Sequence, residues 1–352
     1  MNDLYLNHNS NDIYYMMLAI NQAKKAIYIA RPNPAVGCIL VKDNIIIGAG
    51  YTSPVGGNHA EINALNNALN NNHHVENSTA YVTLEPCSHY GKTPPCSKAL
   101  IKAGIKRVVV AGLDTNPKVA GRGVKMLQDA GIKVTTGLLT DQAKQLNEGF
   151  LKAMRIGMPY VRLKIATSLD GKTAMASGES QWITGEEARE DVQKIRALSG
   201  AIITGSQTVI DDDPSLNVRS NQLGVDVKDI PQPKVVVLDR RNRLSEVADY
   251  KICKNENTIF CNDDNLKQLL NDLVTKYQIY DVMVEAGAKV VGSFIKKDLV
   301  DELIVYQAPC LLGSDARAMA DFKINNLSEQ KRFKLVSHET IGTDFKLTFI
   351  KN

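Results

Sequence analysis

Three side chains, His59, Cys87 and Cys96, are the ones best suited to hold a metal ion, and Glu61 stands two positions beyond the first of them. An imidazole nitrogen and two thiolates suit Zn²⁺. Three protein ligands leave the fourth tetrahedral position for water, the arrangement of a catalytic zinc site, whereas a structural site closes with a fourth side chain. Zinc lowers the pKa of a bound water toward neutrality, which makes a nucleophile for an amidine-like carbon in an aromatic ring. Glu61 could then carry the water proton to a leaving amine. Taken singly, each of these residues is as easily a core or surface residue, and Glu61 a helix cap. Their combination on matching elements favours the metal reading.

A His-x-Glu motif followed by Pro-Cys is the pattern of zinc-dependent nucleobase deaminases. His59-Ala60-Glu61 and Pro86-Cys87 reproduce it, with one departure: eight residues, SHYGKTPP, separate Cys87 from Cys96 where the pattern has two. The enlarged loop carries His89 and Lys92, polar groups placed to reach a substrate. Two alternatives stand beside this reading. One keeps the deaminase but gives it another base, in RNA, with the second half a binding module. The other makes the Cys/His set a structural clip in an interaction protein.

Positioning these groups requires strands and helices in alternation. Asp12 suits an N-cap, and Ile13, Met16, Met17, Ile20 and Ile27 recur behind it at helical spacing. VGCILV (36–41) and IIIGAGY (45–51) read as a hairpin, and from His59 a helix places Ile62, Leu65 and Leu69 on one face. TAYVTLE (79–85) is a strand running into Pro86. A helix from about Pro95 to Ala103, a strand at 107–112, a helix at 124–130 and a strand at 132–137 continue the alternation. The pattern changes between 145 and 158, which divides the chain into expected domains 1–146 and 147–352. In the second, Thr184 and Glu187 form a capping-box pair ahead of a helix to about Ser199. Strands are expected at 160–166, 201–205, 234–239, 258–261, 281–287, 302–309, 333–339 and 345–350, with a helix through Leu266, Leu269, Leu270, Leu273 and Val274. Both halves are therefore α/β, the second a mixed sheet with helices on its faces.

The composition fits a soluble globular protein of two domains: 352 residues, 44% hydrophobic, 23% charged and a formal net charge of +4. The first 145 residues carry 14 basic and 9 acidic side chains, a mild cationic excess that suits a phosphorylated small molecule. A nucleic-acid surface would show a clustered basic stripe instead. No run of apolar residues spans a bilayer, the polar opening lacks a signal-peptide pattern, and six cysteines form no dense disulfide framework. The expectation is a cytoplasmic enzyme with no membrane or nucleic-acid partner.

Long runs carry a more specific likeness. PCSHYGKTPPC (86–96), RPNPAVGC (31–38), HAE (59–61) and NPKVAGRG (116–123) resemble the deaminase half of the bifunctional deaminase–reductase family of riboflavin biosynthesis. KIATSLDGKTAMASGESQWITG (164–185) and TVIDDDPSLNVR (208–219) extend the resemblance into the second half. It implies a cytidine-deaminase-like three-layer domain followed by a dihydrofolate-reductase-like domain. It also implies one Zn²⁺ per chain and NADPH. The implied chemistry is hydrolytic removal of the 2-amino group of 2,5-diamino-6-(5-phosphoribosylamino)pyrimidin-4-one, then reduction of the ribosyl side chain to ribityl. By matching position His59, Cys87 and Cys96 would hold zinc and Glu61 would be the proton donor. Asn33, His89 and Lys92 become candidates for pyrimidine and ribose-phosphate contacts. Asn116, Lys118 and Arg122 lie after a strand end, where α/β folds place ligands, although loop solubility explains them equally well.

In the second half no G-x-G-x-x-G opens a βαβ unit, and GAKVVGS (287–293) lacks a P-loop ending. The strand before Gly287 nevertheless runs into a helix whose free N–H groups could receive phosphate. The resemblance assigns NADP contacts to Ala166, Trp182, Thr208, Asp212 and the segment Gly287, Ala288, Lys289, Val290, Val291, Gly292 and Ser293. It assigns substrate contacts to Ser180, Arg196, Leu216, Arg219 and Glu285. Arg196 and Arg219 could grip a 5′-phosphate, and Trp182, the one tryptophan, could pack on a nicotinamide. Arg240 is a hypothesis for the 2′-phosphate that separates NADPH from NADH, with a surface turn as its alternative. Lys164 is the candidate for proton transfer at the sugar ring oxygen. Such enzymes are commonly symmetric, and a homo-oligomer, dimer or tetramer, is expected.

Overall fold

The computed structural model describes residues 10–90, 94–115, 120–244 and 249–352. The chain forms two compact units, Met1–Ile156 and Gly157–Asn352.

The first unit runs α1 (Ser10–Lys24), β1 (Gly37–Lys42), β2 (Ile45–Tyr51), α2 (Ala60–Asn70), β3 (Thr79–Leu84), α3 (Cys96–Lys102), β4 (Arg107–Gly112), α4 (Arg122–Asp129), β5 (Lys133–Thr136), α5 (Thr140–Gln145) and α6 (Glu148–Ile156). Its sheet has the order β2-β1-β3-β4-β5, with β1 antiparallel to both neighbours and β3, β4 and β5 parallel. Alternation along β1 splits the core in two. Cys38 and Leu40 pack with α2, α3 and α4, whereas Ile39 and Val41 pack with α1 and α5, giving three layers.

Two periodicity assignments shift. Met17 (54%) and Leu69 (56%) are exposed, and Ile27 lies in the turn after α1. The buried face of α2 is made of Ala60, Ala64, Leu65 and Ala68, because the helix lies unusually close to the sheet. Gly50 permits that approach: a Cβ there would sit 2.4 Å from the Ala64 nitrogen and 2.5 Å from the Ala60 oxygen. The large apolar residues that signal a helix face in sequence would not fit in that gap.

The second unit runs β6 (Tyr160–Thr167), β7 (Lys172–Ala174), α7 (Glu186–Leu198), β8 (Ala201–Gly205), α8 (Ser206–Asp212), β9 (Lys234–Leu238), β10 (Thr258–Cys261), α9 (Leu266–Tyr277), β11 (Asp281–Val284), α10 (Ala288–Lys296), β12 (Glu302–Gln307), β13 (Arg317–Ala318), β14 (Phe333–Ile341) and β15 (Asp344–Lys351). Eight strands form the order β10-β9-β8-β11-β6-β12-β15-β14, parallel up to β12 and antiparallel through β15 and β14. α9 and α10 cover one face and α7 the other. The small β7–β13 ribbon has no signal in the sequence pattern. The expected capping box does not form. The N-cap is Gly185, whose N–H donates to Asp344 Oδ2 (2.7 Å), while the Thr184 carbonyl accepts from Arg189. A carboxylate from β15 thus supplies the cap that Thr184 was expected to give.

We expect Gly50→Ala to destabilise the first unit by about 1–3 kcal/mol through overpacking and to reduce its metal content, because α2 is displaced. Thermal unfolding and metal analysis test this; an unchanged Tm with full metal content would contradict the packing argument.

Candidate active sites

Three elements end where the first site lies. His59 occupies the N-cap of α2 in an extended conformation and Glu61 follows in its first turn. Cys87 comes three residues after β3, and Cys96 is the first residue of α3. The ligand atoms of His59, Cys87 and Cys96 lie within 4.8 Å of one another, the only such group of potential metal ligands among the described residues. His59 Nδ1 is 3.7 Å from Cys87 Sγ and 3.3 Å from Cys96 Sγ. With Zn–S near 2.3 Å and Zn–N near 2.0–2.1 Å, a tetrahedral N···S edge is about 3.6 Å, so these three groups fit zinc.

Helix N-termini favour thiolates here. The Cys96 N–H donates to Cys87 Sγ (3.2 Å), and the Cys87 carbonyl accepts from the Ser97 N–H (3.2 Å) and Ser97 Oγ (3.0 Å). The hydrogen bond between the two thiol groups is the main cause that lowers Cys87, and the same side-chain bond, with burial, pushes Cys96 up. The bond to Cys87 raises His59. Glu61 is 3% exposed, and burial, reinforced by Cys87, pushes its carboxyl up to about 7. It is thus a buried carboxyl set against the ligand cluster, in the place a proton-transferring group would occupy.

The other sequence candidates of this half are spread around the cluster. Asn33 is half-buried in the segment that enters β1, His89 is exposed two residues past Cys87, and Arg122 is exposed at the start of α4. Lys92, Asn116 and Lys118 lie outside the described residues. Sequence reasoning missed Glu85. Its buried carboxylate accepts from the N–H groups of Asp114 (3.2 Å), Gly121 (2.9 Å), Gly123 (2.8 Å) and Val124 (3.1 Å), which caps α4 from the end of β3. An acidic residue closing a buried strand was the available signal.

In the second unit the C-terminal ends of β6, β8, β9 and β11 border a cavity of about 1320 Å³. This is the strand edge at which open α/β sheets bind ligands. Lys164, Ala166, Ser180, Trp182, Arg196, Thr208, Asp212, Leu216, Arg219, Arg240 and Glu285 line it, as do Gly287, Ala288, Lys289, Val290 and Ser293. Val291 and Gly292 do not. Val291 is packed in the core, and a Cβ at Gly292 would lie 2.1 Å from the Asp321 carbonyl, so helical rotation turns both away.

At the cavity wall Glu285 accepts from Arg196 through Nε (3.0 Å) and Nη2 (3.1 Å) and from Lys164 Nζ (3.3 Å). Burial alone would raise this carboxyl, but Arg196 and Lys164 overcome it and lower it to about 2. Arg219 donates to the neutral Asn217 Oδ1 (3.2 Å), and Gln193 Oε1 holds the Arg219 N–H (3.0 Å). Arg196, Lys164 and Arg219 thus gather around Glu285, with Glu190 also acting on Arg219, which leaves net positive charge for a phosphate. Ser180 Oγ donates to Asp212 Oδ1 (3.0 Å), and Thr208 Oγ1 accepts from the Gly287 N–H (3.3 Å) at the N-terminus of α10. Trp182 is 66% exposed with the Arg189 guanidinium 4.4 Å from its ring, and Arg240 pairs with both Asp264 oxygens at 2.7 Å. Gln193, Asn217 and Arg189 are among the cavity residues that sequence reasoning missed, although Asn217 lies within the run 208–219. The volume exceeds the ~300–1,000 Å³ of a single small-ligand pocket, and Gly287 brings bare backbone to its floor, so the cavity fits a dinucleotide beside a substrate.

Comparison with known proteins finds a match for each unit. Residues 9–112 match the cytidine and deoxycytidylate deaminase zinc-binding region, and residues 159–347 match the RibD C-terminal domain. The riboflavin biosynthesis protein RibD of Haemophilus influenzae is 47% identical over 98% of each chain, and that of Escherichia coli 45% over 96% of this chain and 99% of its own. Among solved structures, RibD of Acinetobacter baumannii superposes with a TM-score of 0.93 at 50% identity, covering 97% of this chain and 99% of that one. The deaminase/reductase of Thermotoga maritima gives 0.88 at 32% identity, covering 97% and 99%. With a deaminase-type metal triad in one unit, a dinucleotide-sized cavity in the other and likeness over nearly its whole length, the chain belongs to the RibD family of riboflavin biosynthesis.

Proposed function

We propose that the two units carry out consecutive steps on one molecule, a reading supported most directly by the His59–Cys87–Cys96 cluster with buried Glu61 beside it. The first unit hydrolyses the 2-amino group of 2,5-diamino-6-(5-phosphoribosylamino)pyrimidin-4-one. The second reduces the ribosyl chain of the product to ribityl with NADPH.

Zinc, when bound to His59, Cys87 and Cys96, supplies a Lewis acid that makes water nucleophilic at neutral pH. Glu61 accepts the proton of the attacking water on its carboxylate and delivers it to the departing exocyclic nitrogen. Its position in the first turn of α2, two residues past His59, sets its carboxyl beside the ligand cluster for both halves of that exchange. Asn33, His89 and Lys92 contact the pyrimidine and the ribose phosphate.

NADPH supplies the hydride in the second unit. The N-terminus of α10, through Gly287, Ala288 and Lys289, receives cofactor phosphate, with Val290, Ser293, Ala166, Thr208 and Asp212 along its length. Trp182 presents a ring face to the nicotinamide, and Arg240 exchanges Asp264 for the 2′-phosphate. Arg219 and Arg196 hold the substrate phosphate, with Ser180 and Leu216 beside the sugar. Glu285 fixes the Lys164 ammonium so that it donates a proton to the ring oxygen as the sugar opens.

No described helix is long and apolar enough to cross a membrane. We read the protein as cytoplasmic, a compartment that suits its six free cysteines. We also read it as a homo-oligomer, dimer or tetramer. The nine-residue edge strand β14 exposes Leu335 and Val336, and such an edge pairs readily with a second copy. Light scattering should give a multiple of 38.6 kDa, and a monomer at micromolar concentration would contradict this.

A coupled assay with the diaminopyrimidine substrate, zinc and NADPH separates the two sites. Glu61→Gln should lower ammonia release about 10²- to 10⁴-fold with zinc retained. Arg219→Ala should raise the KM of the reductase substrate about 10- to 100-fold and spare deamination. Undiminished ammonia release in the first variant, or loss of both activities in the second, would refute the assignment.

Glu285 also sets a pH dependence. Because its folded pKa is lowered to about 2 from 4.5, its stabilising contribution is complete above about pH 4.5 and is lost as the pH falls toward 2. Glu285→Gln should therefore cost the second unit stability at pH 7 and much less at about pH 3. Denaturant midpoints at both pH values test this; an equal loss at both would contradict it.

A further inference from the structure

The backbone that enters β1 is tied down residue by residue. The Val36 N–H donates to Thr52 Oγ1 (3.0 Å), that hydroxyl donates to the Pro34 carbonyl (3.0 Å), and the Gly37 N–H donates to Thr83 Oγ1 (3.1 Å). Ala35 has a more distant partner. Its N–H donates to Asn147 Oδ1 (2.7 Å) and its carbonyl accepts from Asn147 Nδ2 (2.9 Å). The side-chain amide of Asn147 thus completes the peptide group as a neighbouring strand would. Asn147 is buried and 112 residues away in sequence, and its own carbonyl accepts from the Leu151 N–H (2.9 Å) in α6.

The sheet register shows what this clamp supports. β1 is antiparallel to β3, with Cys38 opposite Val82, so the segment before Gly37 lies at the sheet end where β3 delivers Pro86 and Cys87. On its other side Cys38 is opposite Gly50, the residue against which the start of α2 packs. Asn33 heads this segment.

We infer that Asn147 is a positioning residue for deamination: it clamps Ala35 and so holds the Asn33–Gly37 segment as a wall of the pyrimidine site. The inference rests on the proposed role of Asn33 as a substrate contact. Asn147 lies beyond the deaminase match, which ends at residue 112, so the deaminase site depends on chain outside that region. A substrate-contacting segment freed by about 1 Å can cost about 10²-fold in kcat/KM, which sets the size of the effect.

Ammonia release, zinc content and NADPH oxidation measured on the same preparations test it. Asn147→Ala should raise the KM of the diaminopyrimidine substrate about 10- to 100-fold, with kcat changed much less and with zinc content and reductase rate as in the wild type. Asn147→Ser removes the bulk of the amide but leaves a hydroxyl that can serve one of the two bonds, and should fall between. It carries the same comparison if the alanine variant does not fold. The double variant Asn33→Ala/Asn147→Ala should be no worse than Asn33→Ala alone. A wild-type KM in Asn147→Ala overturns the inference. So does loss of zinc and reductase rate in step with deamination, or penalties of the two single variants that simply multiply. Absence of ammonia release from the wild-type protein itself would remove the deaminase reading, and this inference with it.

Discussion

Two sulfurs and an imidazole nitrogen held within 4.8 Å of one another, Cys96 buried and His59 and Cys87 half-buried, form a set of Lewis bases that cannot all lose their protons without a cation to share. That requirement organises the first unit. Its sheet brings β3 to the point where Cys87 can follow Pro86, and two helices begin there, so their N-terminal dipoles add to the field that favours thiolate. α2 reaches this point only because Gly50 removes the side chain that would hold it off the sheet. Glu61, buried in the first turn of that helix, is left against the cluster.

The second unit solves a different electrostatic problem with similar means. Its cavity must receive multiply charged ligands, and one part of its wall sets Arg196 and Lys164 on the Glu285 carboxylate with Arg219 nearby. Glu285 is the anchor: it fixes Arg196 in a two-point bond and turns Lys164 in the same direction, so positive charge is presented in a defined geometry. The cofactor side relies on backbone at the start of α10, where a helix end offers unpaired N–H groups.

Ligand chemistry was legible in the sequence because it is compressed into short motifs: HAE and PC each put their functional atoms on one turn or one strand end. The strands were legible because those buried on both faces read as short continuous apolar runs, as in RVVVAG and AIITG. What escaped was tertiary and aperiodic. Glu85, Asn147 and Asp344 act by accepting from, or bridging, backbone groups far away in sequence, and no local spacing announces such a partner. The assignment of 287–293 as one block ignored the helical period, which turns Lys289, Val290 and Ser293 toward the cavity and Val291 and Gly292 toward the core. Leu69 misled in the opposite way, since a face that packs against glycine excludes large side chains.

The most direct measurement is a crystal structure of the zinc-loaded protein with data collected at the zinc absorption edge. The account requires one anomalous peak per first unit, bonded to His59 Nδ1, Cys87 Sγ and Cys96 Sγ, with a solvent oxygen completing the tetrahedron and facing the Glu61 carboxylate. A fourth amino-acid side chain bonded in that position, or a zinc ion held elsewhere in the unit, would contradict it.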